Sequence, residues 1–310
     1  MKILKKSKNK NYIVTIAIGD KFYQEWADYI LPSWLLYCEK YNLGLVVFKE
    51  ELIKKSHSKW KKATWQKLLI GREFIKNKVI VNNICFLDAD ILINPFSPNV
   101  FDYHDDNRIS VVSQTKTPFE YSKVLRKIAH FRNRYLSSDY PLDSALFISR
   151  NEYYKYHNYK TQKDIFCAGF FIFNVSLFSD IMEKWFFKYP SDVETITNGG
   201  DEPVLNYEFQ NHGKIKWLDY KFQALWVYEM SNYYPFLYGK KDNLNLKADC
   251  INTSIFQNYF LHFPGLWIEG CMWKDCEILN NDIYNEYKEL FRYYDIIPTG
   301  VPKGTIKNNE

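Results

Sequence analysis

Apolar runs and helix-like segments alternate along the first half of the chain. Residues 12–20 predict a first strand that ends in a turn, and residues 43–48 predict a second strand. Between them, the apolar spacing of residues 22–40 predicts a helix with an irregularity at Pro32. This β-α-β order predicts a parallel sheet with a ligand crevice at the carboxyl ends of its strands. Gly19 falls at such an end, but without the G-x-G-x-x-G pattern of a dinucleotide-binding fold.

Residues 84–93 form an apolar run that two carboxylates interrupt. Its Ile, Phe and Leu residues predict a strand buried on both faces, with Asp88 and Asp90 in its middle. Because residues i and i+2 of a strand point to the same side, both carboxylates are predicted to face one point. Their repulsion would raise one pKa unless a cation lies between them. A divalent Mg²⁺ or Mn²⁺ ion fits this pattern, although a D-x-D spacing alone also occurs by chance.

The second half of the chain has fewer regular patterns. Residues 118–163 are polar, aromatic and irregular without a fixed period, which predicts an insertion or acceptor-facing region, with a plain loop-and-helix decoration as the alternative. Residues 166–174 predict another buried strand, in which Gly169 indicates the close approach of a ligand or another backbone.

Three polar residues lie at the ends of elements predicted in this half. Asp201 and Glu202 follow a pair of glycines and begin a predicted helix, where capping explains these acids about as well as catalysis does. His262 lies at the end of the apolar run 259–263, where a lone histidine is more often packed or hydrogen-bonded than a metal ligand.

Composition and charge exclude several classes of protein. The 310 residues, 46% hydrophobic and 25% charged, suffice for one large α/β domain, and the six scattered cysteines lack the spacing of a structural zinc site. The net charge of +5 lies mainly in residues 1–10 and 54–62, without the long basic run expected for nucleic-acid binding, although peripheral contact with an anionic membrane stays open. No apolar run predicts a transmembrane segment or a signal peptide, so we expect a soluble, cytoplasmic protein of unknown oligomeric state.

A series of motifs occurs in a familiar order. They are a strand ending in Gly19-Asp20, then W-x-K-L at 65–68, F-L-D-A-D at 86–90, C-A-G-F-F-I-F-N at 167–174, G-D-E-x-x-x-N at 200–206 and L-H-F-x-G at 261–265. Together they resemble the GT-A glycosyltransferases, and most closely glycosyltransferase family 8, the glycogenin and lipopolysaccharide galactosyltransferase type. The resemblance spans roughly residues 12–267. It implies a single-domain, Rossmann-like α/β fold in which helices flank a mixed central sheet.

The resemblance also implies a division of the chain. Residues 1–11 would form a basic flexible N-terminus, residues 12–275 the catalytic domain, and residues 276–310 a C-terminal helix and tail. Within the catalytic domain, residues 12–115 would bind the nucleotide-sugar and residues 116–275 would face the acceptor.

Site residues follow from the resemblance position by position. Asp88, Asp90 and His262 match the residues that hold Mn²⁺, or Mg²⁺, on the donor diphosphate. Asp201 and Glu202 match the pair at the reaction centre, and Asp201 is expected to lie nearest the anomeric carbon. The positions that match donor-binding segments are Thr15, Ile16, Ala17, Gly19, Asp20, Lys67, Asp88, Ala89, Ala168, Gly169 and Gly265.

The chain departs from the family pattern at several of these positions. Lys67 stands where the family usually has an arginine, which removes bidentate geometry. Cys167 replaces an asparagine, and Glu202 replaces a glutamine and so adds a second carboxylate. No lysine follows Gly265 where the family has G-x-x-K-P-W, which puts one diphosphate contact in doubt.

The resemblance implies metal-dependent transfer of a hexose to a glycan acceptor with retention of configuration. UDP-Gal, UDP-Glc and UDP-GlcNAc are the expected donors, in that order. A nucleotidyltransferase is an alternative, but it would need a Gly-rich basic loop after the first strand, which residues 19–21 do not provide. The second alternative is a glycan-binding or structural protein with an inactive transferase fold. Loss of Asp88, Asp90 or His262 would have favoured it, and all three are present.

Overall fold

The computed structural model describes residues 1–135, 148–193, 200–240, 242–265 and 268–274. Two sheets occur within these ranges, a larger one in the order β1-β3-β2-β4-β7-β6-β8 and a smaller one in the order β5-β10-β9. The strands are β1 (Lys2–Lys5), β2 (Asn11–Ile16), β3 (Gly44–Phe48), β4 (Asn83–Leu87), β5 (Ile91–Ile93), β6 (Ile109–Val112), β7 (Phe170–Asn174), β8 (Ile215–Leu218), β9 (Ala224–Leu225) and β10 (Phe260–His262).

Most strands of the larger sheet run in one direction. β2 is parallel to both β3 and β4. β7 is antiparallel to β4 and to β6, so β6 runs parallel to β4, and β8 is parallel to β6. The carboxyl ends of β2, β4, β6 and β8 therefore lie along one edge of the sheet, which is where ligands bind in open α/β sheets.

Helices cover the sheets. The α-helices are α1 (Asp20–Glu25), α2 (Leu31–Lys40), α3 (Ala63–Gln66), α4 (Ile70–Lys76), α5 (Tyr121–Tyr135), α6 (Arg150–Tyr156), α7 (Val175–Lys188), α8 (Glu202–His212), α9 (Trp226–Tyr233), α10 (Leu244–Gln257) and α11 (Ile268–Cys271). Single 3₁₀ turns occur at Lys67–Leu69, Val100–Tyr103, Tyr220–Gln223, Pro235–Tyr238 and Met272–Lys274. None of the helices in these ranges combines the length and apolarity needed to cross a bilayer.

The central strands are buried because both faces of the larger sheet are packed. Ile13 and Leu45 face α2 and the smaller sheet, in a cluster that includes the fully buried Trp34. Their neighbours along the strands point the other way, as Val14 does, into a second cluster that includes Trp65. This mixed sheet flanked by helices, in a single domain, confirms the predicted fold class.

The expected irregularity of the first helix is confirmed. A π-helical turn at Trp26–Ile30 separates α1 from α2, and Pro32 lies in the first turn of α2, where a missing N–H is tolerated.

The prediction of one continuous strand over residues 84–93 is wrong. β4 ends at Leu87, the chain turns at Asp88, Ala89 and Asp90, and β5 begins at Ile91 in the smaller sheet. A strand buried on both faces leaves no solvent for two ionised carboxylates, whereas a turn at the sheet edge does.

Two other regions are more regular than their sequence patterns suggested. The described part of residues 118–163 contains the helices α5 and α6, which agrees with the loop-and-helix alternative, and Val124, Ile128 and Arg132 of α5 are buried at helical spacing. Within the N-terminal segment 1–11, expected to be flexible, Lys2–Lys5 form β1 by pairing with the edge of β3. The predicted C-terminal helix and tail, residues 276–310, lie outside the described residues, and the division at residues 115/116 stays a prediction.

Candidate active site

Three residues that we term the metal cluster come together where the two sheets meet, namely Asp88, Asp90 and His262. One ligand atom from each of the three residues lies within 4.8 Å of the others. The pairing of β10 with β5 produces this arrangement, since it places His262 opposite Ile91, directly after the turn that carries both aspartates. A backbone hydrogen bond of 3.1 Å from Phe263 N to the carbonyl oxygen of Asp90 holds the two segments together.

The donor set of this cluster suits a divalent cation. Asp90 Oδ1 is buried and accepts no hydrogen bond from any described residue, although His262 Nε2 lies 3.2 Å away. A buried carboxylate oxygen without a donor is unfavourable unless a cation neutralises it. Two carboxylates and an imidazole are ligands that divalent ions accept. These three residues are therefore the ones that could hold a metal ion.

The backbone of Gly169 packs directly against the cluster, so closely that no side chain fits at this position. A Cβ at this position would lie 2.4 Å from His262 Cε1 and 2.7 Å from Asp88 Oδ2. The carbonyl oxygen of Gly169 also accepts a 2.8 Å hydrogen bond from the backbone N–H of Asp88. A close approach at Gly169 is observed, but what approaches is the side chains of His262 and Asp88, where the sequence predicted a ligand or another backbone.

Gln223 orients the imidazole of His262 from behind. Its Nε2 lies 3.1 Å from His262 Nδ1 and donates at 3.1 Å to the carbonyl oxygen of Cys167. Both Gln223 and His262 are almost completely buried. Because Nδ1 faces Gln223, Nε2 is the nitrogen directed toward the carboxylates, 3.2 Å from Asp90 Oδ1.

Lys67 links the metal cluster to a second acidic group. Its Nζ lies 3.4 Å from Asp88 Oδ1 and 3.1 Å from Asp201 Oδ2, and it donates at 2.9 Å to the carbonyl oxygen of Ala168. Burial alone would lower the pKa of Lys67, but the carboxylates of Asp201 and Asp88 outweigh it and raise the pKa. The ammonium group therefore stays charged.

The side chain of Asp201 faces Lys67 and does not cap its helix. Asp201 occupies the N-cap position of α8 but makes no side-chain capping hydrogen bond. Burial raises its pKa to about 6, although Lys67 opposes that rise. Capping, one of the two explanations that the sequence left open for this acid, is therefore excluded for its side chain.

Glu202 lies beside Asp201, where burial and a neighbouring negative charge both disfavour its ionised form. Burial and the negative charge of Asp201 raise the pKa of Glu202 to about 8, although a hydrogen bond from the backbone of Ala168 opposes the rise. Glu202 is therefore mostly protonated at neutral pH. A protonated glutamate has nearly the shape and the neutral charge of a glutamine side chain.

A pocket of about 330 Å³ opens beside the cluster at the carboxyl ends of β2 and β4. Of the predicted donor-binding residues, those that line it are Ile16, Lys67, Asp88, Ala89 and Gly265, together with the metal-cluster residue Asp90. Ala168 and Gly169 reach the same region through Lys67 and His262.

The remaining predicted donor-binding residues do not line this pocket. Thr15 and Ala17 are completely buried in and after β2, where the backbone N–H of Ala17 bonds to Phe48. Gly19 has a positive φ of 96° and precedes α1, and Asp20 is exposed at the first position of that helix.

Several residues of this region were not predicted from the sequence. Phe22, Phe86 and Thr64 line the pocket, and Gln223 contacts His262. Phe86 stands two residues before Asp88 and could have been found from that spacing, whereas no local pattern distinguishes the other three.

Comparisons with known proteins give structural matches only. No family model and no curated protein matches the sequence. A glycosyltransferase involved in glycosylation of the major capsid of PBCV-1 matches with a TM-score of 0.48 and 10% identity, over 84% of this chain and 98% of that one. The WbbM bifunctional glycosyltransferase matches with a TM-score of 0.46 and 14% identity, over 91% of this chain. The glycosyltransferase GlyE of Streptococcus pneumoniae TIGR4 matches with a TM-score of 0.45 and 14% identity, over 92%.

This chain spans 52% of the WbbM chain and 64% of the GlyE chain. At these levels of similarity the matches do not by themselves establish an activity.

Proposed function

We propose that this protein is a metal-dependent glycosyltransferase of the GT-A type that uses a nucleotide-sugar donor. The observation that carries the proposal is the convergence of Asp88, Asp90 and His262 beside a pocket at the carboxyl ends of the strands. The motif order that resembles glycosyltransferase family 8 agrees with it. A UDP-linked hexose is the proposed donor, and a glycan is the proposed acceptor.

The three residues of the cluster would hold Mn²⁺ or Mg²⁺. When bound, such an ion neutralises the negative charge that grows on the leaving nucleoside diphosphate. Lys67 adds a permanent positive charge on the same side, because its pKa is raised by the carboxylates around it. Lys67 would therefore take part in binding the donor and would replace the arginine of the family.

Asp201 is proposed as the residue nearest the anomeric carbon. With a pKa of about 6, it is mostly ionised at neutral pH, and its carboxylate can stabilise an oxocarbenium-like state. The ion pair with Lys67 keeps that carboxylate in one position. Glu202, protonated at neutral pH, would act as a neutral hydrogen-bonding neighbour, as a glutamine does, and transfer would proceed with retention.

The first test is hydrolysis of a panel of UDP- and GDP-sugars with Mn²⁺, with Mg²⁺ and with EDTA. We expect turnover of one UDP-hexose that requires the metal. The variant Asp88→Asn/Asp90→Asn should lower that turnover by at least about a hundredfold, because it removes two of the three ligands. Asp105→Asn/Asp106→Asn provides a matched control, since it changes two carboxylates that lie outside the cluster, before β6, where Asp106 contacts Asn83 at the start of β4.

Two results would contradict the proposal. Turnover that survives EDTA and the Asp88→Asn/Asp90→Asn change would remove the metal from the mechanism. The absence of turnover, with no thermal shift by any nucleotide in the presence of Mn²⁺, would favour a glycan-binding protein with an inactive transferase fold.

A further inference from the structure

A second and larger cleft opens along the same edge of the main sheet. It has a volume of about 800 Å³ and is lined by residues that follow β6 and β8, among them Lys116 and Asp219. Because β6 and β8 run parallel to β4, their carboxyl ends lie on the side of the sheet that carries the metal cluster.

The 3₁₀ turn Tyr220–Gln223 connects the cleft to the metal cluster. Tyr220 lines the cleft, and Gln223 contacts His262. On another wall, Asn258 lines the cleft directly after α10 and four residues before His262. At about 3.3 Å per extended residue, four residues span at most about 13 Å, so Asn258 lies no farther than this from His262. An acceptor glycan whose reacting end lies at the metal cluster can therefore extend into the cleft.

Two exposed aromatic side chains stand at the cleft. Tyr233 at the end of α9 is 46% exposed, and Phe256 near the end of α10 is 43% exposed. Exposed aromatic rings beside a concave polar surface provide apolar faces on which the C–H face of a sugar ring can stack. Tyr233 lies one helical turn after Glu229, so both residues are on the same side of α9.

The floor of the cleft is polar and ordered. Glu229 is only 2% exposed, and it accepts hydrogen bonds from Tyr220 OH at 3.0 Å and from Ser254 Oγ at 3.2 Å. Asn258 Nδ2 approaches the same carboxylate at 3.4 Å. These contacts hold planar polar groups in fixed positions at the base of the cleft, as sites that recognise hydroxyl groups require.

The lining of the cleft carries little net charge. Lys116 and Lys221 are opposed by Asp219 and by the buried Glu229, whose pKa is raised by burial, so the lining carries at most one net positive charge. A phosphate-bearing ligand or a nucleic acid would need an excess of positive charge. The lining therefore favours a neutral ligand with both an apolar face and hydroxyl groups.

We propose that this cleft binds a neutral oligosaccharide, namely the part of the acceptor glycan that lies several sugar units away from the reacting end. The role as an acceptor subsite rests on the proposed function, because it assigns the reacting end to the metal cluster. Binding of the oligosaccharide itself does not depend on catalysis and can be measured without a donor.

The test measures binding of the full-length protein to an array of neutral and anionic glycans, without donor. The variant Tyr233→Ala/Phe256→Ala removes both aromatic faces, and Phe236→Ala is the matched control, since Phe236 is 46% exposed but does not line the cleft. We expect the protein to bind a neutral oligosaccharide and the double variant to lose at least tenfold in affinity. The control should stay within twofold.

Donor hydrolysis, measured on the same proteins, separates this proposal from the proposed function. We expect hydrolysis to be unchanged in the double variant, while the KM for the bound oligosaccharide as acceptor rises at least tenfold and kcat stays within twofold. Glycan binding without hydrolysis of any donor would support the cleft and overturn the proposed function. Binding of no neutral oligosaccharide, or equal binding by the double variant, would overturn the cleft as a glycan site.

Discussion

Replacing Glu202 with glutamine should make the protein more stable at alkaline pH. The pKa of Glu202 is raised from 4.5 to about 8 by burial and by Asp201, so the folded state holds a proton that the unfolded state releases between these values. A raised carboxyl pKa contributes stability below the unfolded pKa, and that contribution is lost as the pH rises toward the folded pKa. Glutamine removes the ionisation while keeping the shape and the acceptor oxygen.

The expected size of the effect follows from the pKa. A rise from 4.5 to about 8 corresponds to an upper limit of about 5 kcal/mol at pH 9 and about 1 kcal/mol at pH 5. Glu202 keeps part of its surface in solvent, which screens the charge, so we expect about 2 kcal/mol at pH 9. For a protein of this size such a gain raises Tm by about 4 °C.

Thermal unfolding of the wild type and of Glu202→Gln at pH 5, 7 and 9 measures this difference. Glu50→Gln is the control, because it changes an exposed glutamate, and its Tm difference should stay small at every pH. If Glu202→Gln differs from the wild type by the same amount at pH 5 and pH 9, Glu202 is not preferentially protonated in the folded state. Under the proposed function, the variant should also keep its activity above pH 8, where the wild type loses it.

Two further substitutions test the packing at the metal cluster and at a buried ion pair elsewhere in the domain. Gly169→Ala places a methyl group 2.4 Å from His262 Cε1 and 2.7 Å from Asp88 Oδ2. The affinity for Mn²⁺, measured by calorimetry, should therefore fall at least about tenfold while the fold is retained. An unchanged affinity would mean that the ion binds elsewhere. Glu269→Gln breaks a buried ion pair with Arg132, whose contacts are 2.9 and 3.1 Å, and should lower the free energy of unfolding in urea by about 3–5 kcal/mol. A loss below about 1 kcal/mol would show that solvent reaches the pair.

Local pattern was sufficient for the elements whose core contacts repeat along the chain. The apolar runs that became β2, β3, β4 and β7 are buried on both faces, so every residue in them carried the same signal. The helix α5 was missed although Val124 and Ile128 have helical spacing, because its many polar and aromatic residues obscured a narrow buried stripe.

The candidate metal residues were identified from motif order, but their geometry was not. The sequence placed Asp88 and Asp90 inside a strand, whereas the structure places them in a turn between two sheets. A carboxylate pair in an apolar run indicates a functional site. Where the backbone leaves the sheet, however, is decided by the packing on both sides of the run.

By itself the sequence determined the α/β class, the buried strands and the presence of acids where apolar packing makes them unfavourable without a partner. The tertiary structure alone decided which residues meet. The pairing of β10 with β5 brings His262 to Asp90, and the fold places Lys67 between Asp88 and Asp201. Hydrophobic periodicity acts over a few residues, whereas such contacts depend on strand register and on side chains far apart in the chain, which no local pattern specifies.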